Sequence, residues 1–245
     1  MTTTVDDHHC QSGPQQTGEA TASSHVLDRC VWTSLTGHHA RFAERHGRVI
    51  RYQADVTPFA ALEDPADPSA WADAADLLGP GGKLGLAGVD HWPDEWKPAF
   101  LAEAVQMVAA TMDARPDPEA VVLGPEDVPD ILALIARTEP GPFLPRTIEL
   151  GTYLGIRRDG ALVAMAGERL HPPGYTEISA VCTEPAYRGQ GLAARLVQAV
   201  AAGIEERGEI PFLHAVASNT NAIRLYESIG FTLRRRSVFT ALNVP

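Results

Sequence analysis

The chain predicts an α/β (α+β) fold in which a mixed, mostly antiparallel central sheet is flanked by helices. Three observations predict it. Strand-like and helix-like segments alternate from residue 120 onward, as a sheet with packed helices requires. Residues 177–231 read as strand, glycine-rich turn, amphipathic helix, strand and helix in unbroken order. Of the 245 residues, 44% are apolar, enough to bury a core behind such a sheet.

The elements follow in order. Residues 1–24 are polar and small and predict a disordered tail. His8, His9 and Cys10 lie in it with nothing to fix a ligand geometry, so no metal site is expected there. Residues 25–45 predict a helix with Val26, Leu27, Val31, Leu35 and Phe42 as its apolar positions. Residues 48–53 (RVIRYQ) alternate like a strand. Asp67-Pro68-Ser69 ahead of residues 70–78 reads as a capped helix, and Gly79-Pro80-Gly81-Gly82 stops it. Residues 83–89 and 105–109 predict short strands. Arg115-Pro116-Asp117-Pro118 reads as a linker, because proline disfavours helix around itself and no apolar periodicity crosses the stretch. It divides the chain into an α/β N-terminal domain, 25–115, and a second domain, 116–245.

Beyond the linker the signals sharpen. Residues 120–123 predict a strand, and 126–138 a helix burying Val128, Ile131, Leu132, Leu134 and Ile135. Pro140 ends it, and a rigid loop, Gly141-Pro142-Phe143-Leu144-Pro145, precedes a short helix at 146–149. Segments 153–157 and 161–169 predict a hairpin, since Asp159-Gly160 favours a tight turn. Residues 177–183 predict the next strand. Leu192, Leu196, Val200 and Ile204 then recur every four residues, giving a helix one apolar stripe, and Gly208 closes it. Residues 212–217 predict a strand and 219–229 a helix with Ala222, Ile223, Tyr226 and Ile229 inward. Gly230 ends that helix and Phe231 starts the last strand.

Composition removes several functions. The net charge of −11 argues against a nucleic-acid binder, which needs a basic face. Three widely spaced cysteines make no disulfide framework and no CxxC zinc pair. No apolar run approaches the ~20 residues of a membrane span, and the N-terminus lacks the apolar segment of a secretory signal. A cytoplasmic protein acting away from membranes is the expectation.

The turn Arg188-Gly189-Gln190-Gly191-Leu192-Ala193 stands where the long helix opens. A helix N-terminus carries unpaired N–H groups and partial positive charge, so it seats a diphosphate. Small residues there let a pyrophosphate approach the backbone, which points to a nucleotide-containing acyl carrier.

Two motifs carry a family resemblance. Arg188, Gly191 and Ala193 meet the pattern Arg/Gln-x-x-Gly-x-Gly/Ala, and Asn219-x-x-Ala222-x-x-Leu225-Tyr226-x-x-x-Gly230-Phe231 follows at the expected distance. Over residues 118–241 the chain resembles the GCN5-related N-acetyltransferase family. It is most similar to the subgroup sharing the C-terminal domain of glycine N-acyltransferases, where a degenerate half of related fold precedes the active half. Residues 25–115 occupy that place.

The resemblance implies acetyl-CoA as co-substrate and acetyl transfer to a primary amine, on a small molecule or a peptide, by direct attack in a ternary complex. It implies no metal, and a monomer or homodimer. Arg188, Gly189, Gln190, Gly191, Leu192 and Ala193 would wrap the diphosphate. Val181, Cys182 and Thr183 would pair through their backbone with the pantetheine arm. Asn219, also a candidate helix cap, and Asn221 would touch CoA. Tyr226 would protonate the leaving thiolate. Glu177 matches the base of histone-type members. His214, five before Asn219, matches the base of ribosomal-protein acetyltransferases. An imidazole has the better unperturbed pKa, and Glu177 would need burial to raise its own. A water chain is the third choice. Phe143, Arg146, Thr147 and Glu149 would line the acceptor pocket, where Arg146 suits a carboxylate or else simply pairs with Glu149. Cys182 as a nucleophile lacks an evident His/Asp partner. The alternative function is a non-catalytic acyl-CoA sensor or interaction module, since a fold can keep its cofactor and lose its chemistry.

Overall fold

The computed structural model describes residues 25–245, and the expected tail with His8, His9 and Cys10 lies outside them. The helix expected over 25–45 is replaced by a 3-10 turn (Val26–Arg29), a short helix α1 (Cys30–Leu35), a second 3-10 turn (Ala40–Phe42) and strand β1 (Ala43–His46). The hydroxyls of Thr33, Ser34 and Thr36 turn back onto carbonyls three or four residues earlier, which competes with continuing a helix. The expected apolar positions still point inward: Leu27, Val31, Leu35 and Phe42 are buried and Val26 is partly so.

Strands β2 (Val49–Tyr52) and β3 (Ala60–Leu62) complete a three-stranded antiparallel sheet with β1. Helix α2 (Pro68–Leu78) starts where Asp67 accepts a hydrogen bond from the Ser69 N–H at 2.8 Å and stops at Gly79, whose φ is +71°. Strand β4 (Lys83–Ala87) follows. Strand β5 runs over Lys97–Ala109, eight residues further upstream than the apolar run 105–109 suggested. No helix or strand lies between Ala109 and Val121, the region read as a linker.

The C-terminal part contributes β6 (Val121–Val122), α3 (Val128–Thr138), β7 (Tyr153–Arg158), β8 (Ala161–Glu168), β9 (Tyr175–Thr183), α4 (Leu192–Glu206), β10 (Ile210–Val216), α5 (Thr220–Ser228) and β11 (Phe231–Asn243). Helix α3 begins two residues later than expected because Pro125–Asp127 form a 3-10 turn, pinned by Asp127 accepting from the Gly124 N–H. It buries Ile131 and Leu134, while Val128, Leu132 and Ile135 are half-buried. The short helix expected at 146–149 is a 3-10 turn, Thr147–Leu150.

The main sheet has eight strands in the order β4-β11-β5-β10-β9-β8-β7-β6. Every neighbouring pair is antiparallel except β9 with β10. Strands from both sides of residues 115–118 therefore share one sheet, with β5 seated between β10 and β11. One face packs on α4 and α5, where Leu192, Leu196, Val200 and Ile204 lie against Met107, Leu213 and Phe231. Each such side chain stabilises the fold by about 1.5–3 kcal/mol on burial. The other face is covered by α1, the 3-10 turns on either side of it and the small sheet; Leu27 and Phe42 of the turns, Tyr52 of β2 and Phe59 just ahead of β3 meet Phe212 and Leu170.

Candidate active site

Strands β9 and β10 stay paired only from 175–178 against 210–213. Past Ile178 and Leu213 they part. β9 continues along β8 and β10 along β5, so a wedge opens in the middle of the sheet. Two things drive the parting. Ala180 is left-handed, with φ +53°, and the register against β8 slips between Met165 and Gly167, so β9 bulges at the mouth of the wedge. On the other side, His214 and its successors are held by Gln106, Val105 and Ala104 of β5.

The edge of β9 facing the wedge holds Val181, Cys182 and Thr183, which make no ladder pairs on that side. The Thr183 hydroxyl is buried and has no hydrogen-bond partner among the described residues. Directly beyond lies the glycine turn. Gly189 and Gly191 have φ of +80° and +74°, a backbone that side chains rarely adopt. A Cβ built on either would meet nothing within 4 Å, so they border open space. Gly191 opens α4 and has no side-chain cap to offer, so the first N–H groups of this 15-residue helix face that space uncapped. Gln190 is exposed, Leu192 turns into the core and Ala193 is half-buried. The Arg188 guanidinium folds back onto the Thr183 carbonyl at 3.3 Å.

On the other side of the wedge, Asn219 caps α5 by accepting from the Ala222 N–H at 3.2 Å, and Asn221 is exposed two residues on, in the first turn. Tyr226 stands on the buried face of α5 beside Phe231. Its hydroxyl makes no hydrogen bond among the described residues, and burial pushes its pKa up to about 12. The phenol therefore holds its proton at neutral pH. Cys182 points away from the wedge into the cluster under α3, and burial raises its thiol to about 11. That environment suppresses the thiolate a nucleophile needs.

The structure brings Glu177 and His214 together on the face opposite Tyr226. His214 Nδ1 lies 2.6 Å from Glu177 Oε1, and Arg169 reaches both carboxylate oxygens at 2.8 and 2.7 Å. The side chains of Glu177 and His214 are 0% and 2% exposed. Burial does push the Glu177 pKa up, as foreseen, but the Arg169 charge and hydrogen bonds, aided by His214, outweigh it and hold the carboxyl below its ordinary value. Phe143 is buried edge-on against Tyr153. Arg146 is engaged by Glu149, Gln53 and Asp55, and the Thr147 hydroxyl donates to the Val56 carbonyl, so these residues tie their loop to the N-terminal part.

Arg169, Gln106 and the Ala180 bulge escaped sequence reasoning. Gln106 did carry a signal: it is a lone amide inside the apolar run VQMVA, and a buried amide demands partners. Arg169 and Ala180 carried none.

A model of the FR47-like protein family matches residues 153–240. A solved structure from Novosphingobium aromaticivorans, assigned to the GNAT acetyltransferases, is 44% identical with a TM-score of 0.81, covering 89% of this chain and 98% of that one. The chain belongs to the GCN5-related N-acetyltransferase (GNAT) family. Among curated relatives, N-alpha-acetyltransferase RimI of Mycobacterium tuberculosis is 38% identical over 90 residues, 34% of this chain and 56% of RimI. Mycothiol acetyltransferase of Thermomonospora curvata is 36% identical over 84 residues, 34% of this chain and 28% of that enzyme. The chain thus spans about half or less of the curated relatives it matches. A GCN5-related N-acetyltransferase from Kribbella flavida shares the fold across 91% of this chain at 19% identity, with a TM-score of 0.62. Among the described residues no helix is long and apolar enough to cross a membrane, and no His/Cys/Asp/Glu group could hold a metal ion.

Proposed function

We propose that this GNAT protein transfers an acetyl group from acetyl-CoA to a primary amine by direct attack in a ternary complex. The observation that carries the reading is the wedge between β9 and β10, opening beside the uncapped start of α4. The residues present fit the co-substrate. The glycine turn leaves open space at helix N–H groups, which suits a diphosphate, and the β9 edge and the Thr183 hydroxyl, both without a partner among the described residues, suit an amide-bearing arm. Arg188 to Ala193 would hold the phosphates, Val181 to Thr183 the arm, and Asn219 and Asn221 the far wall.

When bound, acetyl-CoA supplies a thioester carbonyl open to attack and a thiol as leaving group. The chain's own groups do the rest. Backbone N–H groups at the bulged edge polarise the carbonyl oxygen. Tyr226, protonated at neutral pH, gives its proton to the departing sulfur. The proton lost by the amine leaves through water, since the Glu177 and His214 side chains are both too buried to meet an acceptor directly. The acceptor is a small-molecule or peptide amine entering on the Glu177 face. The reading requires no metal and places the protein in the cytoplasm, as a monomer or homodimer.

That same burial favours one second reading, an acyl-CoA-binding sensor without turnover. Calorimetry with acetyl-CoA, and thiol release across an amine panel, separate the two. Binding with turnover supports the transferase, and binding without turnover for any amine supports the sensor. If no CoA species binds, and Gly191→Val changes nothing, both readings are wrong.

A further inference from the structure

The Glu177–His214 pair does not end at His214. The Gln106 side-chain nitrogen lies 3.0 Å from His214 Nε2 and donates to the Leu27 carbonyl at 3.0 Å. The Gln106 side-chain oxygen accepts from Arg234 at 2.6 Å. Arg234 in turn binds Asp28 at 2.7 Å, and Arg235 binds the same carboxylate at 2.8 Å. An amide can be turned end for end, but here both ends are dictated. Arg234 has only donors to offer and the Leu27 carbonyl only an acceptor, so the nitrogen must face Leu27 and His214. That leaves His214 Nε2 no role but acceptor. At the other nitrogen, the Glu177 carboxylate can only accept, so Nδ1 carries the proton.

We propose that Gln106 is a positioning residue that locks His214 as the neutral Nδ1–H tautomer. His214 then serves as a hydrogen-bond donor to Glu177, and is not a free base. Protonating Nε2 would set an N–H against the Gln106 amide. Turning that amide to accept it would break the bonds to both Leu27 and Arg234 and set oxygen against oxygen at Leu27. The titratable and charged groups around His214 are Glu177 from β9, Arg169 after β8, Arg234 and Arg235 from β11, Asp28 from the first turn and Cys30 from α1, with the Phe212 and Phe239 rings closing the sides. Leu27, Asp28 and Gln106 all precede residue 116, so the N-terminal half supplies the amide that faces His214 and part of what orients it. The tautomer does not depend on the transferase reading.

Nitrogen-15 NMR of histidine-labelled full chain tests it, with His214 assigned from the signals missing in His214→Gln. At pH 7 the expected spectrum shows one protonated nitrogen, Nδ1, and one bare nitrogen, Nε2. In Gln106→Glu a carboxylate replaces the amide, and both nitrogens should carry protons. Gln106→Met, which removes the amide without adding a charge, should not give the doubly protonated spectrum. A wild-type Nε2–H tautomer, a doubly protonated His214, or a folded Gln106→Glu with an unchanged His214 spectrum would overturn the proposal. The wild-type measurement decides even if the variants fail to fold or no acceptor is turned over.

Discussion

Replacing Arg169 with methionine isolates the strongest electrostatic contact at the site. Glu177 is fully buried and its two oxygens receive Arg169 at 2.8 and 2.7 Å. Methionine fills similar volume but leaves a carboxylate without its cation. Breaking a buried pair from one side costs about 3–5 kcal/mol. For a chain of this size that lowers Tm by roughly 6–20 °C. The pH dependence gives a sharper test. In the wild type Glu177 titrates below its ordinary value of 4.5, so its contribution is complete above pH 4.5 and fades as the pH falls below that. In Arg169→Met burial dominates and the folded value rises above 4.5. The carboxyl then favours folding only where it is protonated, so the variant recovers relative to wild type as the pH drops from 7 toward 4.5. Urea titrations at several pH values measure both effects. Arg169→Met/Glu177→Gln removes both charges and keeps an acceptor for His214, so it should be more stable than Arg169→Met at pH 7, with a coupling of about 1–3 kcal/mol. A loss under about 1 kcal/mol with no recovery in acid, or a double variant no better than the single, would refute the reasoning.

Tyr226→Phe should lower kcat by about 10²–10⁴-fold with acetyl-CoA affinity unchanged, read by thiol release and calorimetry. His39 and His171 meet edge to face, and burial lowers them to about 4 and about 3 from 6.5. Both are held neutral in the fold, so stability present above pH 6.5 should be lost progressively between pH 6.5 and about 3, and His39→Gln should flatten that slope in acid denaturation. Cys182→Ala should keep full turnover, and the wild-type Cys182 should label with a thiol reagent only on unfolding, as its raised pKa and burial require.

The strongly periodic elements were legible in the sequence because their pattern is local. The stripe of α4, the cap of α5 and the Asp159-Gly160 hairpin each declare themselves within a dozen residues. Helix α1 was overread because leucines and valines at helical spacing say nothing of hydroxyls that bend the chain back at Thr33 to Thr36. Strand β5 was underread because its first half, KPAFLAEA, does not alternate, and its one short apolar run, Ala99 to Ala102, follows a proline and stays exposed at Phe100 and Leu101; pairing with β11 makes it a strand. The two motifs made the glycine turn and Tyr226 readable. The chain of contacts from Arg169 through Glu177, His214, Gln106 and Arg234 to Asp28 was not, since it joins residues up to 206 positions apart and no short pattern encodes such a meeting.

The seat of β5 constrains how the molecule can be made. This strand leaves the ribosome about a hundred residues ahead of both β10 and β11, the walls of its slot, so its backbone must wait unpaired until those residues have followed it. A fragment starting at residue 116 would present two strands with a gap between them, and should aggregate unless a peptide spanning 97–109 is supplied in trans.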